Sequence, residues 1–131
     1  MFIRLIFIFF STLFFSTNVF SDIYYCTEED RQGFLVEENE KIHTPSAFKL
    51  ENFTVKIDFI NETASSEKIW LKDGVNCIFD PIAESLYCIS SYGAGFSFYY
   101  PEKKFSLSQL FLNTTFGNDD LIISYGYCEL F

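Results

Sequence analysis

The sequence predicts an all-β fold, an antiparallel meander forming a small barrel or sandwich held by two disulfides. Three observations predict it. Short runs of β-branched and aromatic residues alternate with polar ones and are punctuated by Gly, Asn, Asp and Pro. No stretch sustains a helical period. Four cysteines, Cys26, Cys77, Cys88 and Cys128, all lie downstream of an export-like leader, and an even count in a short exported chain reads as two bridges.

The leader is read from the first 21 residues. Met1-Phe2-Ile3-Arg4 carries the only early charge, Leu5 to Phe15 is apolar apart from Ser11 and Thr12, and Val19-Phe20-Ser21 ends the segment with a V-x-S cleavage pattern. A positive start, a short apolar run and a small-residue end are expected of a signal peptide spanning 1–21. The run is too short for the about 20 apolar residues of a membrane span. Residues 22–131 then form a single β-domain in an exported, periplasmic or secreted setting.

From Asp22 onward the chain keeps all 18 acidic and 8 of the 9 basic side chains, a formal net charge of −10. Such a balance disfavours nucleic acid and anionic lipid, which require Lys and Arg counter-charge. It keeps an exported protein soluble, and it leaves a cationic envelope or secreted protein as the partner class to test. The same 110 residues hold 11 Phe, 8 Tyr and 1 Trp, ample for a core and far too apolar for disorder.

Strands are expected at 22–28, 33–37, 47–60, 66–72, 75–80, 85–92, 95–100, 104–111 and 121–129, with a turn or short helix within 37–46. The clearest is Phe53-Thr54-Val55-Lys56-Ile57-Asp58-Phe59, apolar at odd and polar at even positions, the mark of a half-buried antiparallel strand. Phe48 and Leu50 have the opposite parity, which predicts a bulge or break near Glu51-Asn52. Opposing Cys77 to Cys88 also opposes Phe79 to Leu86 and leaves a loop at Asp80–Ser85, where Pro81 stops the ladder. Directly opposed strand residues sit within disulfide range, so Cys77–Cys88 is expected as a cross-strand bridge. Cys26–Cys128 follows, tying the first strand to the last. A second hairpin turning at Pro101–Lys104 is expected to oppose Tyr100 to Phe105 and Phe98 to Leu107.

The search for chemistry nominates no catalytic, cofactor or metal residue. His43, the only histidine, lies in a polar, loop-like stretch without a nucleophile or orienting group in sight. No Cys-x-x-Cys pair supports zinc, and no Gly-x-Ser-x-Gly elbow is present. Acids cluster at Glu28-Glu29-Asp30, at Glu37, Glu38 and Glu40, and at Asp119-Asp120. They lack calcium-loop spacing and read as solvated charge. Ser90-Ser91-Tyr92-Gly93-Ala94-Gly95 reads as a tight bend. Tyr92, Tyr99, Tyr100, Tyr125 and Tyr127 offer material for a sugar- or protein-binding face, but core and cross-strand pairing is the expected use. Asn52, Asn61 and Asn113 open N-x-Thr sequons.

Tyr25-Cys26, Gly33-Phe34, Phe48-Lys49-Leu50, Lys56-Ile57-Asp58-Phe59, Leu86-Tyr87-Cys88-Ile89 and the ending Tyr125-Gly126-Tyr127-Cys128-Glu129-Leu130-Phe131 resemble a group of small exported proteins of AT-rich marine alphaproteobacteria. The resemblance spans nearly all of 22–131. It implies a periplasmic or secreted bacterial setting, lowers the weight of the sequons and carries over no site residue. The expected role is a non-enzymatic β-domain binding a protein or glycan partner in the cell envelope. The alternative is a small hydrolase using paired carboxylates.

Overall fold

A computed structural model describes residues 21–36, 43–68, 71–72, 74–91, 93–109 and 120–131; the leader's residues 1–20 lie outside them. The strands are β1 (Asp22–Val36), β2 (His43–Ala47), β3 (Asn52–Asp58), β4 (Thr63–Ser66), β5 (Val75–Asp80), β6 (Ser85–Ile89), β7 (Gly95–Tyr99), β8 (Lys104–Gln109) and β9 (Leu121–Leu130). Eight of them, β1 and β3 to β9, pair antiparallel in chain order and close into a barrel through β1–β9. β2 is an extra strand. It pairs with Gln32–Val36 of β1, while β3 pairs with Asp22–Thr27 farther along the same edge.

β1 unites two expected strands. A bulge between Glu28 and Asp30 carries the chain through the acidic run without breaking the ladder to β9. One extra residue there resets the inward alternation, so Tyr24, Cys26 and Glu28 face in before the bulge and Arg31 faces in after it. The loop expected around His43 is also corrected: the backbone of His43–Ala47 forms β2 against β1. The break expected near Glu51-Asn52 is present, as the chain leaves β2 at Ala47 and re-enters the sheet at Asn52. The strand expected at 66–72 is shifted to Thr63–Ser66.

Both disulfides are present, Cys26–Cys128 and Cys77–Cys88, with Cα separations of 4.0 and 4.1 Å. Each joins directly opposed residues, and the expected β5–β6 register, Cys77 to Cys88 and Phe79 to Leu86, is found. The β7–β8 register differs from expectation by two residues. Tyr99 faces Lys104 and Phe98 faces Phe105, because Pro101 occupies the second place of a turn that starts at Tyr100. The slip is even, so Phe98, Phe105 and Leu107 stay on the buried face as expected, while Tyr100 falls in the turn and is exposed.

Three hairpin turns end alike. Glu62, Glu84 and Lys103 each take a positive φ, 52°, 48° and 52°, in the last place before the returning strand. Asp58 and Asp80 open two of these turns. Each carboxylate accepts two backbone N–H groups, from Ile60 and Asn61 in one and from Ile82 and Ala83 in the other.

An eight-stranded barrel is just wide enough for side chains to fill it, and here they do. Tyr24 packs on Phe98 (ring centroids 4.9 Å apart), Phe53 meets Phe105 edge-on at 5.2 Å, and Val55, Ile57, Leu86 and both disulfides complete the core. Burial raises the Tyr24 hydroxyl far above its ordinary value, with Asp22 adding to the effect. Charged side chains such as Glu29, Lys56 and Lys104 stand outside.

Candidate functional site

The outer wall over β6 to β9 combines features that folding alone does not require. Alternation in Phe96-Ser97-Phe98 and in Phe105-Ser106-Leu107-Ser108 buries the large residues and turns the serines outward. Register then aligns two rows across four strands, Tyr87–Ser97–Ser106–Tyr125 and Ile89–Gly95–Ser108–Ile123. Small residues on β7 and β8 thus form the floor, and large ones on β6 and β9 form the walls. Strand spacing sets the two tyrosine backbones roughly 14 Å apart along the sheet. Tyr87, Ile89 and Ile123 stand round the floor of an open groove of about 270 Å³, with Tyr125 beside it. Ser97 Oγ and Ser106 Oγ share a 2.6 Å hydrogen bond on its floor.

β9 is inverted relative to a folding strand. Its large residues Ile123, Tyr125 and Tyr127 face solvent, while Ser124, Gly126 and Cys128 face the core. The interior opposite β9 is already occupied. Gly126 lies against the bulge, where a Cβ would fall 1.9 Å from the Thr27 carbonyl and 2.9 Å from the Phe105 ring. On the outside, Ile123 is 59% exposed, Tyr125 52% and Ile89 72%. Exposed apolar residues such as Ile23, Phe34 and Ile78 stand elsewhere on the barrel too; here four of them stand on two sides of a floor of small residues. Comparisons with family models, curated proteins and solved structures find no match.

None of the eight side-chain positions in these rows is charged. Charge stands beside them: Asp30 is opposite Tyr125 on β1, Glu29 precedes it in the bulge, and Asp80 lies on the outer row next to β6. Lys104, between Tyr99 and Tyr127, is already ion-paired with Glu102, whose hydrogen bond raises the lysine above its ordinary value.

A second polar constellation closes one end of the barrel. The Glu28 side chain is wholly buried, and its Oε2 accepts the Glu51 N–H at 2.8 Å. Arg31 Nη1 stands 3.5 Å from Glu28 and 2.9 Å from Glu51, and Lys68 pairs with Glu51 while its ammonium lies 5.7 Å from the centre of the Phe53 ring. Burial, then Arg31, lowers the Lys68 ammonium below its ordinary value despite Glu28. Two carboxylates therefore converge, but each is committed to cations. An acid–base pair for hydrolysis needs one carboxyl free to give a proton beside a substrate cleft. The cluster is an internal salt bridge, of the kind that fixes one arrangement more than it adds stability. Glu28 Oε1, Arg31 Nε and Ser124 Oγ find no hydrogen-bond partner among the described residues.

Two further grooves lie near the β4–β5 seam, where the ladder is only two pairs long. One, of about 430 Å³, has Ser65, Lys72 and Asn76 on its lining; the other, of about 230 Å³, has Lys56, Glu67 and Lys72. Neither gathers aromatic side chains.

The acids of Glu28-Glu29-Asp30, expected to be solvated together, are split by the bulge into one buried and two outward-facing groups. Tyr99, Tyr100, Tyr125 and Tyr127, expected in the core and in cross-strand pairs, are exposed; among the described residues the buried tyrosine is Tyr24. The Ser90–Gly95 bend is as expected. Ser90 Oγ accepts the Ala94 N–H, and Gly93 takes φ +84°. Glu37, Glu38, Glu40, Tyr92, Asn113 and Asp119 lie outside the described residues. Among the described residues no three His, Cys, Asp or Glu side chains are grouped to hold a metal ion.

Proposed function

We propose that the chain is an exported, non-enzymatic binding module that docks a macromolecular partner of the envelope, or of the surrounding medium, on the outer wall of β6 to β9. The observation that carries this reading is the inverted strand β9. It presents Ile123 and Tyr125 to solvent opposite Tyr87 and Ile89, across a floor of Ser and Gly. Rigid tyrosines provide contact area at small conformational cost, and serine and glycine adapt to a partner's polar groups. Two buried disulfides suit an oxidising, extracytoplasmic compartment. The leader-like first 21 residues and the resemblance to small exported bacterial proteins favour periplasm or secretion. Paired-carboxylate hydrolysis is the weaker reading, because Glu28 and Glu51 are both neutralised by cations.

The test compares the wild-type chain with Tyr87→Ala/Tyr125→Ala on arrays of oligosaccharides and of short peptides. Loss of about tenfold or more in affinity is expected, the scale of two interface hot spots, with the far-UV spectrum unchanged. Binding that ignores both tyrosines refutes the site. Glycoside hydrolysis abolished by Glu28→Gln, in a variant that still folds, refutes the non-enzymatic reading.

A further inference from the structure

We infer that the occupant of the outer-wall groove is a basic protein that inserts an apolar side chain among Tyr87, Ile89 and Ile123, beside Tyr125, and sets Lys or Arg against the acidic flanks. The inference rests on the binding reading above and names the partner class for that same site.

Three observations select this occupant. The groove is small and open, about 270 Å³, whereas small-molecule and cofactor sites bury most of their ligand in clefts of roughly 300–1,000 Å³; it suits a side chain offered by a larger body. Its walls are Ile89 and Ile123 with one tyrosine, Tyr87, and isoleucine has neither the flat face nor the polar atoms that hold a sugar ring. Its few hydroxyls are partly used, since Ser97 and Ser106 bond each other. An apolar side chain therefore fits the floor better than a glycan.

Charge supplies the rest. The rows of the groove are neutral, Glu29 and Asp30 flank Tyr125, and Asp80 stands on the far side. Lys104, the cation within this part of the outer wall among the described residues, is already paired with Glu102. A chain of formal charge −9 repels a second copy of itself and attracts basic surfaces over a Debye length of about 8–10 Å at ordinary ionic strength. An uncharged apolar centre within an acidic surround is complementary to an apolar knob ringed by Lys or Arg.

The experiment uses immobilised synthetic peptides with Leu, Phe or Trp at the centre, flanked by Lys/Arg, by Ser or by Glu, alongside neutral oligosaccharides. The Lys/Arg-flanked peptides are expected to bind at least about tenfold tighter than the Glu-flanked ones, a preference that shrinks as salt rises. Glu29→Gln/Asp30→Asn is expected to weaken only the Lys/Arg-flanked set, by several-fold, and Tyr87→Ala/Tyr125→Ala to abolish binding of the whole peptide series. No retention of Lys/Arg-flanked peptides, or retention indifferent to flank charge, overturns the inference. So does a dimer in sedimentation equilibrium that the tyrosine substitutions dissolve. Tyrosine-dependent binding of oligosaccharides alone removes the basic partner and leaves the binding face standing; peptide or sugar binding unchanged by the tyrosine substitutions removes both.

Discussion

Replacing each disulfide in turn by a pair of alanines separates what the two bridges contribute. In the chain-entropy description a bridge acts by restricting the unfolded chain, and its effect grows with the logarithm of the loop it closes. Cys26–Cys128 spans 102 residues and Cys77–Cys88 spans 11. The corresponding effects are about 4.7 and about 3 kcal/mol, a difference of about 2 kcal/mol. Folded-state contributions nearly cancel in that difference. Both bridges join opposed residues of paired strands with the same Cα separation within 0.1 Å (4.0 against 4.1 Å), and all four cysteines are buried. Urea unfolding at 25 °C, followed by circular dichroism, therefore should place Cys26→Ala/Cys128→Ala about 2 kcal/mol below Cys77→Ala/Cys88→Ala. It should also give the former the steeper urea dependence, because its unfolded chain expands more. If only the 77/88 variant retains a cooperative transition, the order is the same. Equal losses, or a larger loss for the short bridge, refute the reasoning.

Three other expectations follow from the hairpins and the bulge. Glu84→Gly relieves a left-handed residue whose side chain is exposed and should stabilise by about 0.5–1 kcal/mol. Glu62→Gly should come out near zero, because the Glu62 carboxylate accepts the Phe79 N–H at 3.1 Å and that bond is lost; thermal melts compare the two. Gly126→Ala drives a Cβ into the Thr27 carbonyl and should cost about 3 kcal/mol or more, whereas at Gly95 the nearest atom is the movable Ser108 hydroxyl and alanine should be nearly neutral. Burial raises the Glu67 carboxyl, but hydrogen bonds from the Thr54 hydroxyl and N–H outweigh it and hold Glu67 below its ordinary 4.5. Its contribution to stability is thus present above that value and lost as pH falls through the folded pKa. Thr54→Val should flatten that acid-side loss by a few tenths of a kcal/mol, the scale of an exposed charged contact, in denaturant titrations run from neutral to acid pH.

Much of the barrel is legible in the residues, and the misses have physical causes. The β5–β6 hairpin can be registered because Cys77, Cys88, Phe79, Leu86 and Pro81 all demand the same pairing. The next hairpin slips by two because the Pro101 position in its turn decides the register, and two residues leave the faces unchanged. β2 escapes notice because it pairs with β1 at a barrel margin, where Thr44, Pro45 and Ala47 are exposed and no apolar alternation is needed. Three adjacent acids imitate a loop. Only the β9 register reveals that a bulge runs through them, and only the fold brings Glu51 and Lys68 to the charge that the bulge buries. The outward serines of β7 and β8 are readable from period two. The outward tyrosines of β9 are not, because rings such as Tyr125 and Tyr127 are expected in the core and in cross-strand pairs.

That misassignment bears on the proposed binding face. A strand selected for folding alone would turn its largest apolar residues inward, and β9 does the opposite over three consecutive outward positions. The interior dictates part of this. Cys128 must reach Cys26, Gly126 must clear the bulge and Phe105, and Ser124 stands opposite the buried Arg31. Those constraints require small residues inside; they do not require Ile123 and Tyr125 outside, where Ser or Thr would hold a strand and expose less apolar surface. The aligned Tyr87 and Ile89 on β6 repeat the same departure from the far side of the groove, and the residues between them on β7 and β8 are all small. Local rules tend to fail together where a sequence serves something besides its own fold. In a barrel whose interior is filled by rings and disulfides, the proposed recognition has only the outside to use. The wall over β6 to β9 is the place where these departures converge.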